Sequence, residues 1–262
     1  MNRSKRNRWA ENEALSCVHE PDLTKVTAGG HYMRGRWGEE VFGNDHPIVL
    51  ELGCGQGLFS VDLARRFPDR NFIGVDVKGH RFWRGARTAT DEGIGNVAFL
   101  RARIQWLDRF FAGGEADEIW LTFSDPQLAD KRGTKRLTSP YYQRLYSHIL
   151  APGGTLHVKT DSGDFHARTV EDAAESGLIV RDSSNNVHGE PEGRFDPELA
   201  TSLAFITAFE LRWIREGRRI HYASLEKGTE VADEDLAKAQ MMLQGPAERV
   251  QPRRPKHLAS DD

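Results

Sequence analysis

The strongest constraint in this chain is a short apolar run, Ile48-Val49-Leu50-Glu51-Leu52, that ends in glycines at alternate positions, Gly53, Gly55 and Gly57. A run apolar along its whole length reads as a strand buried on both faces, and helical periodicity begins at once from Leu58 to Ala64. The unit then recurs. Asn71 to Asp76 precedes a helix near residues 79–92, and Asn96 to Arg101 precedes one near 104–111. Glu118 to Phe123 precedes a helix near 139–150, and Thr155 to Thr160 one near 164–176. This alternation predicts an α/β fold, doubly wound, with a mostly parallel seven-stranded sheet covered on both faces. Leu178 to Arg181, an amphipathic stretch near 203–216 and a closing strand near Arg219 to Leu225 complete it. That strand follows no long crossover, so it is expected to pair antiparallel at the sheet edge.

The flanks have a different texture. Residues 1–45 are polar and rich in Gly and Arg and read as an irregular basic arm, residues 46–226 as the α/β domain, and residues 227–262 as a mostly disordered tail with one short helix around 232–243. A chain of 262 residues with 38% hydrophobic and 29% charged residues suits one soluble domain. No run approaches the roughly 18 to 20 apolar residues of a membrane span, and the polar start lacks a signal-like segment, so a cytoplasmic location with no membrane partner is expected. Cys17 and Cys54 are too few for a disulfide framework, and none of the ten histidines has a tight Cys/His spacing, so no metal site is expected. With a formal net charge of -3, a nucleic-acid partner would have to be held by local basic patches.

The glycine turn sits where open α/β sheets bind ligands, at the carboxyl end of the first strand. Gly53, Gly55 and Gly57 let the backbone approach a ligand, but the spacing is G-x-G-x-G, not the G-x-G-x-x-G of a dinucleotide site, and Glu51 lies two residues before the first glycine. A carboxylate there would repel a pyrophosphate and attract an ammonium or sulfonium group, which favours S-adenosylmethionine over a nicotinamide cofactor. Asp76, ending the next strand, stands in the place that accepts hydrogen bonds from ribose hydroxyls.

The fourth strand ends Thr122-Phe123-Ser124-Asp125-Pro126-Gln127, and the following residues are basic: Lys131, Arg132, Lys135, Arg136 and Arg144. The proline holds Asp125 extended, so its carboxylate is expected over the carboxyl edge, in the substrate slot. The cations after it suit the phosphates of a polynucleotide, although runs of this kind are as often a solvated charged loop.

These residues resemble the bacterial tRNA (guanine-N7)-methyltransferases of the TrmB type over about residues 6–226. The likeness rests on the segments 51–57, 72–76, 123–126 with 135–138, Lys159-Thr160-Asp161, and Thr207-Ala208-Phe209-Glu210. The glycine motif alone would fit any class I methyltransferase, whereas the full set in this order is narrow. The resemblance implies a Rossmann-like fold and methylation of N7 of a guanine in the variable loop of tRNA, with S-adenosylmethionine as cofactor. It implies that Glu51, Gly53, Gly55, Gly57, Asp76 and Asp125 line the cofactor site, with Asp125 also catalytic. Asp161, Thr207 and Glu210 would hold the guanosine. Two positions depart from the pattern. Arg103 stands where many members carry an acid near the adenine, and Ala129 or Asp130 meets the place of a lysine, whose substrate-binding role passes to Lys131 or Arg132.

Guanine N7 has an in-plane lone pair and no proton, so its methylation needs positioning and charge stabilisation and no base at the nucleophile. Asp125 and Asp161 are expected to accept from the guanine N1–H and N2–H₂ edge. Asp161 also reads as a helix cap, and Thr207 with Glu210 as a capping box. Arg132, Lys135 and Arg136 are expected on the tRNA backbone, helped by Arg3, Lys5, Arg6 and Arg8 around Trp9, by Arg212, Arg215, Arg218 and Arg219, and by His80, Arg81, Arg84 and Arg87. The protein is expected to act as a monomer or weak homodimer. A methyltransferase for protein or a small metabolite would share the glycine loop without needing the basic rim, and an RNA-binding scaffold without catalysis would not need the acids.

Overall fold

The computed structural model describes residues 3–22, 26, 30–127, 135–228 and 231–244. Eight strands form one sheet in the order β1-β4-β3-β2-β5-β6-β8-β7. They are β1 (Val18–His19), β2 (Ile48–Leu52), β3 (Asn71–Asp76), β4 (Val97–Arg101), β5 (Ala116–Thr122), β6 (Leu150–Thr160), β7 (Leu178–Ser184) and β8 (His221–Lys227). β1 to β6 pair in parallel, and β8 runs antiparallel between β6 and β7. The closing strand is thus interior, and β7 takes the edge. β2 and β3 are buried at every position, as strands covered on both faces must be.

The helices α1 (Arg3–Asn12), α2 (Leu58–Arg66), α3 (Gly79–Glu92), α4 (Pro140–Ile149), α5 (Gly163–Glu171), α6 (Pro197–Leu203), α7 (Ala208–Arg215) and α8 (Asp233–Gln244) lie around it. The segment after β4 is a kinked 3₁₀ turn, Ile104–Arg109, instead of a full helix. The amphipathic stretch expected over 203–216 is broken between α6 and α7, because Thr207 is extended (φ -69°, ψ 159°) and caps α7. β2 and β5 are neighbours although the chain leaves β2 towards β3 on the other side. The direction of winding reverses there, which opens a crevice above the carboxyl ends of these two strands.

Both flanks depart from expectation. The arm supplies α1 and the eighth strand, and Trp37 is fully buried, its indole N–H donating to Phe110 O (2.8 Å) and its ring stacked on Phe111. The Glu115 carboxylate accepts from the backbone N–H of Gly35 (2.7 Å) and Trp37 (3.3 Å), so the segment is strapped down by main-chain bonds that no side-chain pattern advertises. In the tail, α8 forms close to the expected residues and docks on α4. Ala239 is fully buried, Leu236 nearly so, and Gln240 Nε2 donates to Asp108 Oδ2 (2.8 Å). Small apolar residues at helical spacing suffice to seat one amphipathic turn on a neighbour. Leu236→Ala should therefore lower unfolding free energy by about 1.5–3 kcal/mol, read by urea denaturation. No change would mean that α8 contributes nothing to the folded core.

Candidate active site at the carboxyl edge of the sheet

The turn after β2 is fixed to β3 by two bonds, with Gly53 N–H and Cys54 N–H both donating to Val75 O (2.8 and 3.1 Å). Gly53, Gly55 and Gly57 all have left-handed backbones (φ 75°, 56° and 71°), a conformation that L side chains resist. They divide into two kinds. A Cβ on Gly53 would meet nothing, and one on Gly55 only Gly53 O at 3.9 Å, so both face open space. A Cβ on Gly57 would collide with the Phe99 ring. Gly57 is a packing glycine that lets α2 approach β4, and it borders neither lobe of the crevice.

Two buried acids flank this turn. Asp76 accepts from Gly55 N–H (3.1 Å) and Lys78 N–H (2.8 Å), with Arg81 3.9 Å away. Glu51 is held by Ser60 N–H (3.1 Å), Ser60 Oγ (2.5 Å) and Thr122 Oγ1 (3.1 Å). Burial pushes its carboxyl up to about 7, against the hydrogen bonds from Ser60 and Thr122 that favour the charged form.

Above them the crevice has two lobes. One, of about 450 Å³, is bordered by Asp76, Lys78, Arg103, Gln105, Asp125 and Tyr142. The other, of about 340 Å³, is bordered by Glu51, Gly55, Phe59, Phe205, Thr207 and Phe209. They meet at Gly53, Arg81, Thr122 and Phe123. Phe123 occupies this junction with φ 52°, a costly conformation for a bulky residue, and is held there by its N–H donating to Lys159 O (2.8 Å). Asp125 is exposed in the first lobe, and among the described residues it accepts hydrogen bonds from Gln127 N–H (3.2 Å) and Nε2 (2.7 Å).

The structure thus brings Glu51, Gly53, Gly55, Asp76, Arg103, Asp125 and Thr207 to the crevice and leaves other expected residues outside it. Asp161 follows β6 and pairs with Arg218 (3.0 Å) without bordering either lobe. Glu210 is fully buried, 2.7 Å from Lys159 Nζ and 2.8 Å from His188 Nε2, and closes a capping box with Thr207. In this arrangement Glu210 supports the wall from behind. Lys135 is exposed. Arg136 is buried with its guanidinium 2.5 Å from Asp172, so its expected contact with a tRNA backbone is corrected: the side chain turns inward to an acid on the neighbouring segment. Lys131 and Arg132 lie outside the described residues, as do the side chains of Arg3, Lys5 and Arg6. Sequence reading missed Phe123, Phe205 and Phe209 as cavity walls, and Arg81 at the junction. It also missed the anchor Lys159, whose Nζ donates to Leu203 O (3.0 Å) and Phe205 O (3.2 Å) and whose pKa burial lowers. The available signal was a lysine directly after the apolar Val158, near the carboxyl end of a buried strand.

A family model described as "Putative methyltransferase" matches residues 45–223. A tRNA (guanine-N(7)-)-methyltransferase of Christiangramia forsetii is 40% identical over 84% of this chain and 96% of its own. One of Porphyromonas gingivalis is 46% identical over 76% and 79%, and one of Bacteroides thetaiotaomicron 42% identical over 85% of each. The chain belongs to the tRNA (guanine-N7)-methyltransferase family. Among solved structures, the 16S rRNA methyltransferase KamB superposes with a TM-score of 0.55 at 18% identity, covering 73% of this chain and 92% of that one. A 16S rRNA (adenine(1408)-N(1))-methyltransferase does so at 0.51 and 12%, over 74% and 91%. At those identities the likeness is one of fold, the class I methyltransferase sheet. Among the described residues no helix is long and apolar enough to cross a membrane, and no cluster of His, Cys, Asp and Glu could hold a metal.

The raised Glu51 carboxyl makes stability pH-dependent. Unfolded, it titrates near 4.5; folded, near 7, so the folded state binds more protons between these values. Its contribution is complete below pH 4.5 and is lost as pH rises through about 7. Glu51→Gln should flatten the fall in unfolding free energy between pH 5 and 8 in urea titrations at fixed salt, and an unchanged slope would assign the fall to other groups.

Proposed function

We propose that this protein transfers the methyl group of S-adenosylmethionine to N7 of a guanine in tRNA, the variable-loop guanine by family resemblance. The observation that carries the reading is the two-lobed crevice over the β2/β5 reversal, floored by two buried acids, in a chain of this family. The residues fit the cofactor. Open space above Gly53 and Gly55 admits a ligand against the backbone, Asp76 at the end of β3 suits ribose hydroxyls, and Arg103 and Gln105 border the same lobe, where an adenine would follow. Glu51 borders the other lobe as an anion that a bound ammonium or sulfonium would favour. When bound, the cofactor supplies an electrophilic methyl group.

The chain's own residues then have two tasks. They hold N7 in line with the methyl group and the sulfur, and they accommodate the positive charge that appears on the purine. No residue need remove a proton from the nucleophile. Asp125, exposed beside the junction, accepts from the guanine N–H edge and faces the growing charge. Asp161 joins it only if Arg218 releases it, so it is the lesser acceptor. Lys135 and the arginines of α7 and its following turn hold phosphates, while the protein works in the cytoplasm as a monomer or weak homodimer.

Incubation with methyl-labelled cofactor and unmodified tRNA, followed by nucleoside mapping, should place the label in 7-methylguanosine; label in another nucleoside, or none, would overturn the reading. Asp125→Ala should lower turnover by about 100-fold or more with an unchanged melting temperature, because among the described residues the exposed side chain bonds only within its own turn. Near-wild-type turnover would remove Asp125 from the site. At pH 8, Glu51→Gln should weaken cofactor binding about 10-fold or more and leave tRNA binding unchanged, as calorimetry and filter binding would read.

A further inference from the structure

At the mouth of the second lobe stands an aromatic side chain that the fold does not use. Phe209, in the first turn of α7, borders the cavity and is 63% exposed, more than any other aromatic bordering either lobe of the crevice. A large apolar ring left in water beside a binding site is the informative case; scattered exposed apolar residues are ordinary. Its surroundings are also aromatic. Its ring centroid is 6.2 Å from that of Trp213, one helical turn on, and Trp213 is 5.0 Å from Phe123 at the junction of the lobes. A chain of tilted aromatic rings therefore links the rim to the place where the lobes meet, with Trp213 packed behind the two that border the cavity. The backbone beneath it is tied at several points. Lys159 ties Leu203 O and Phe205 O, Thr207 and Glu210 close their capping box, and Lys159 and His188 both clamp Glu210.

We infer that Phe209 is the stacking platform for the target guanine. This rests on the reading of the protein as a tRNA guanine-N7 methyltransferase and adds the group that receives the extruded base. With a nucleoside end against Asp76 in the first lobe and a cationic end against Glu51 and the glycine turn, the part of the second lobe left for the acceptor is its mouth, lined by Phe205, Ile206, Thr207 and Phe209. A base entering there must leave its own stack in the tRNA, and an aromatic face replaces that stacking. Stacking alone would serve any base, so recognition of guanine falls to edge acceptors such as Asp125. The ring has a second effect. Methylation at N7 leaves the purine cationic, and a cation over a π face is bound more strongly than the neutral ring. The contact therefore strengthens along the reaction, which raises turnover as well as affinity.

The experiment uses the full chain with unmodified tRNA, comparing wild type with Phe209→Ala, Phe209→Leu, Phe209→Tyr and Phe209→Trp, all expected to melt alike because the side chain is mostly in water. Phe209→Ala should lower kcat/KM for tRNA about 10- to 100-fold, with kcat also reduced. Phe209→Leu should recover little, and the Tyr and Trp variants most of it. Cofactor affinity should be unchanged. Wild-type activity on tRNA with kcat/KM equal in all five proteins would overturn the platform and leave the function standing. Leu restoring activity as fully as Tyr would overturn it too, since an apolar volume would then suffice. A Phe209→Ala variant that changed only self-association, seen by sedimentation, would make the ring a protein contact and overturn the proposal. No 7-methylguanosine from the wild-type protein would overturn both readings together.

Discussion

The carboxyl edge of the sheet is organised around one buried carboxylate. Glu51 sits on β2 and receives hydrogen bonds from Ser60 on α2 and Thr122 on β5, so it joins the strand before the glycine turn, the helix after it and the strand across the winding reversal. Holding a carboxylate in a low-dielectric interior is unfavourable, as its raised pKa records, and three donors offset only part of that cost. The donors come from elements that are far apart in sequence. Their convergence at one carboxylate sets the width of the crevice that an apolar residue at position 51 would leave undefined. The acid is therefore both the bracket of the turn and an incompletely compensated charge facing the cavity, and a cation bound beside it would supply the missing compensation.

A second buried charge supports the opposite wall. Lys159 and Glu210 are both essentially excluded from solvent, and such pairs rarely add much stability, because desolvation consumes most of the attraction. What the pair does supply is geometry. One ammonium reaches two carbonyls of the α6–α7 connection and the carboxylate that caps α7, so Phe205 and Thr207 are presented to the second lobe from a connection that would otherwise have few constraints. Removing one partner would leave the other charge buried and is expected to disturb this wall well beyond the residue itself. The capping function read for Thr207 and Glu210 and their bearing on the site are thus one arrangement: Thr207 borders the cavity because Glu210 holds it from behind.

The α/β class, the parallel strands, the location of the crevice and its acids were legible because they rest on local patterns: an apolar run, alternate glycines, an acid at a strand end. Strand-edge residues such as Asp76 and Asp125 reach the site by topology alone. What escaped were features decided by contacts remote in sequence. Nothing near Gly57 announces that Phe99 fills the space a side chain would need. Arg136 lies in a basic run that looks solvated until Asp172, on another segment, is brought beside it. Trp37 joins the core through a carbonyl and a carboxylate that its segment does not announce, and α8, although its helix was legible, docks through Leu236 and Ala239 on an α4 far from it in sequence. The aromatic wall of the second lobe depends on a break between α6 and α7 that merges, in sequence, into one amphipathic stretch.

The placement of the acids also suits the direction in which charge moves. In N7 methylation the positive charge begins on sulfur and ends on the purine, with no proton transferred to relieve it. An anion close only to the starting cation would stabilise the ground state and slow the reaction, because only interactions that strengthen towards the transition state accelerate it. Glu51 borders the inner lobe behind the glycine turn, already engaged by three hydrogen bonds, and its high pKa marks it as a weakly held charge at neutral pH. Asp125 stands exposed in the first lobe, and Phe209 at the mouth of the lobe that Glu51 also borders. In the proposed reaction Glu51, already holding three hydrogen bonds, would face the cationic cofactor, while the exposed Asp125 carboxylate and the Phe209 ring would face the purine. A Coulomb interaction falls as the inverse of distance, so with the guanine edge held by Asp125, as proposed, charge arriving on the purine would gain from that carboxylate what it loses at Glu51.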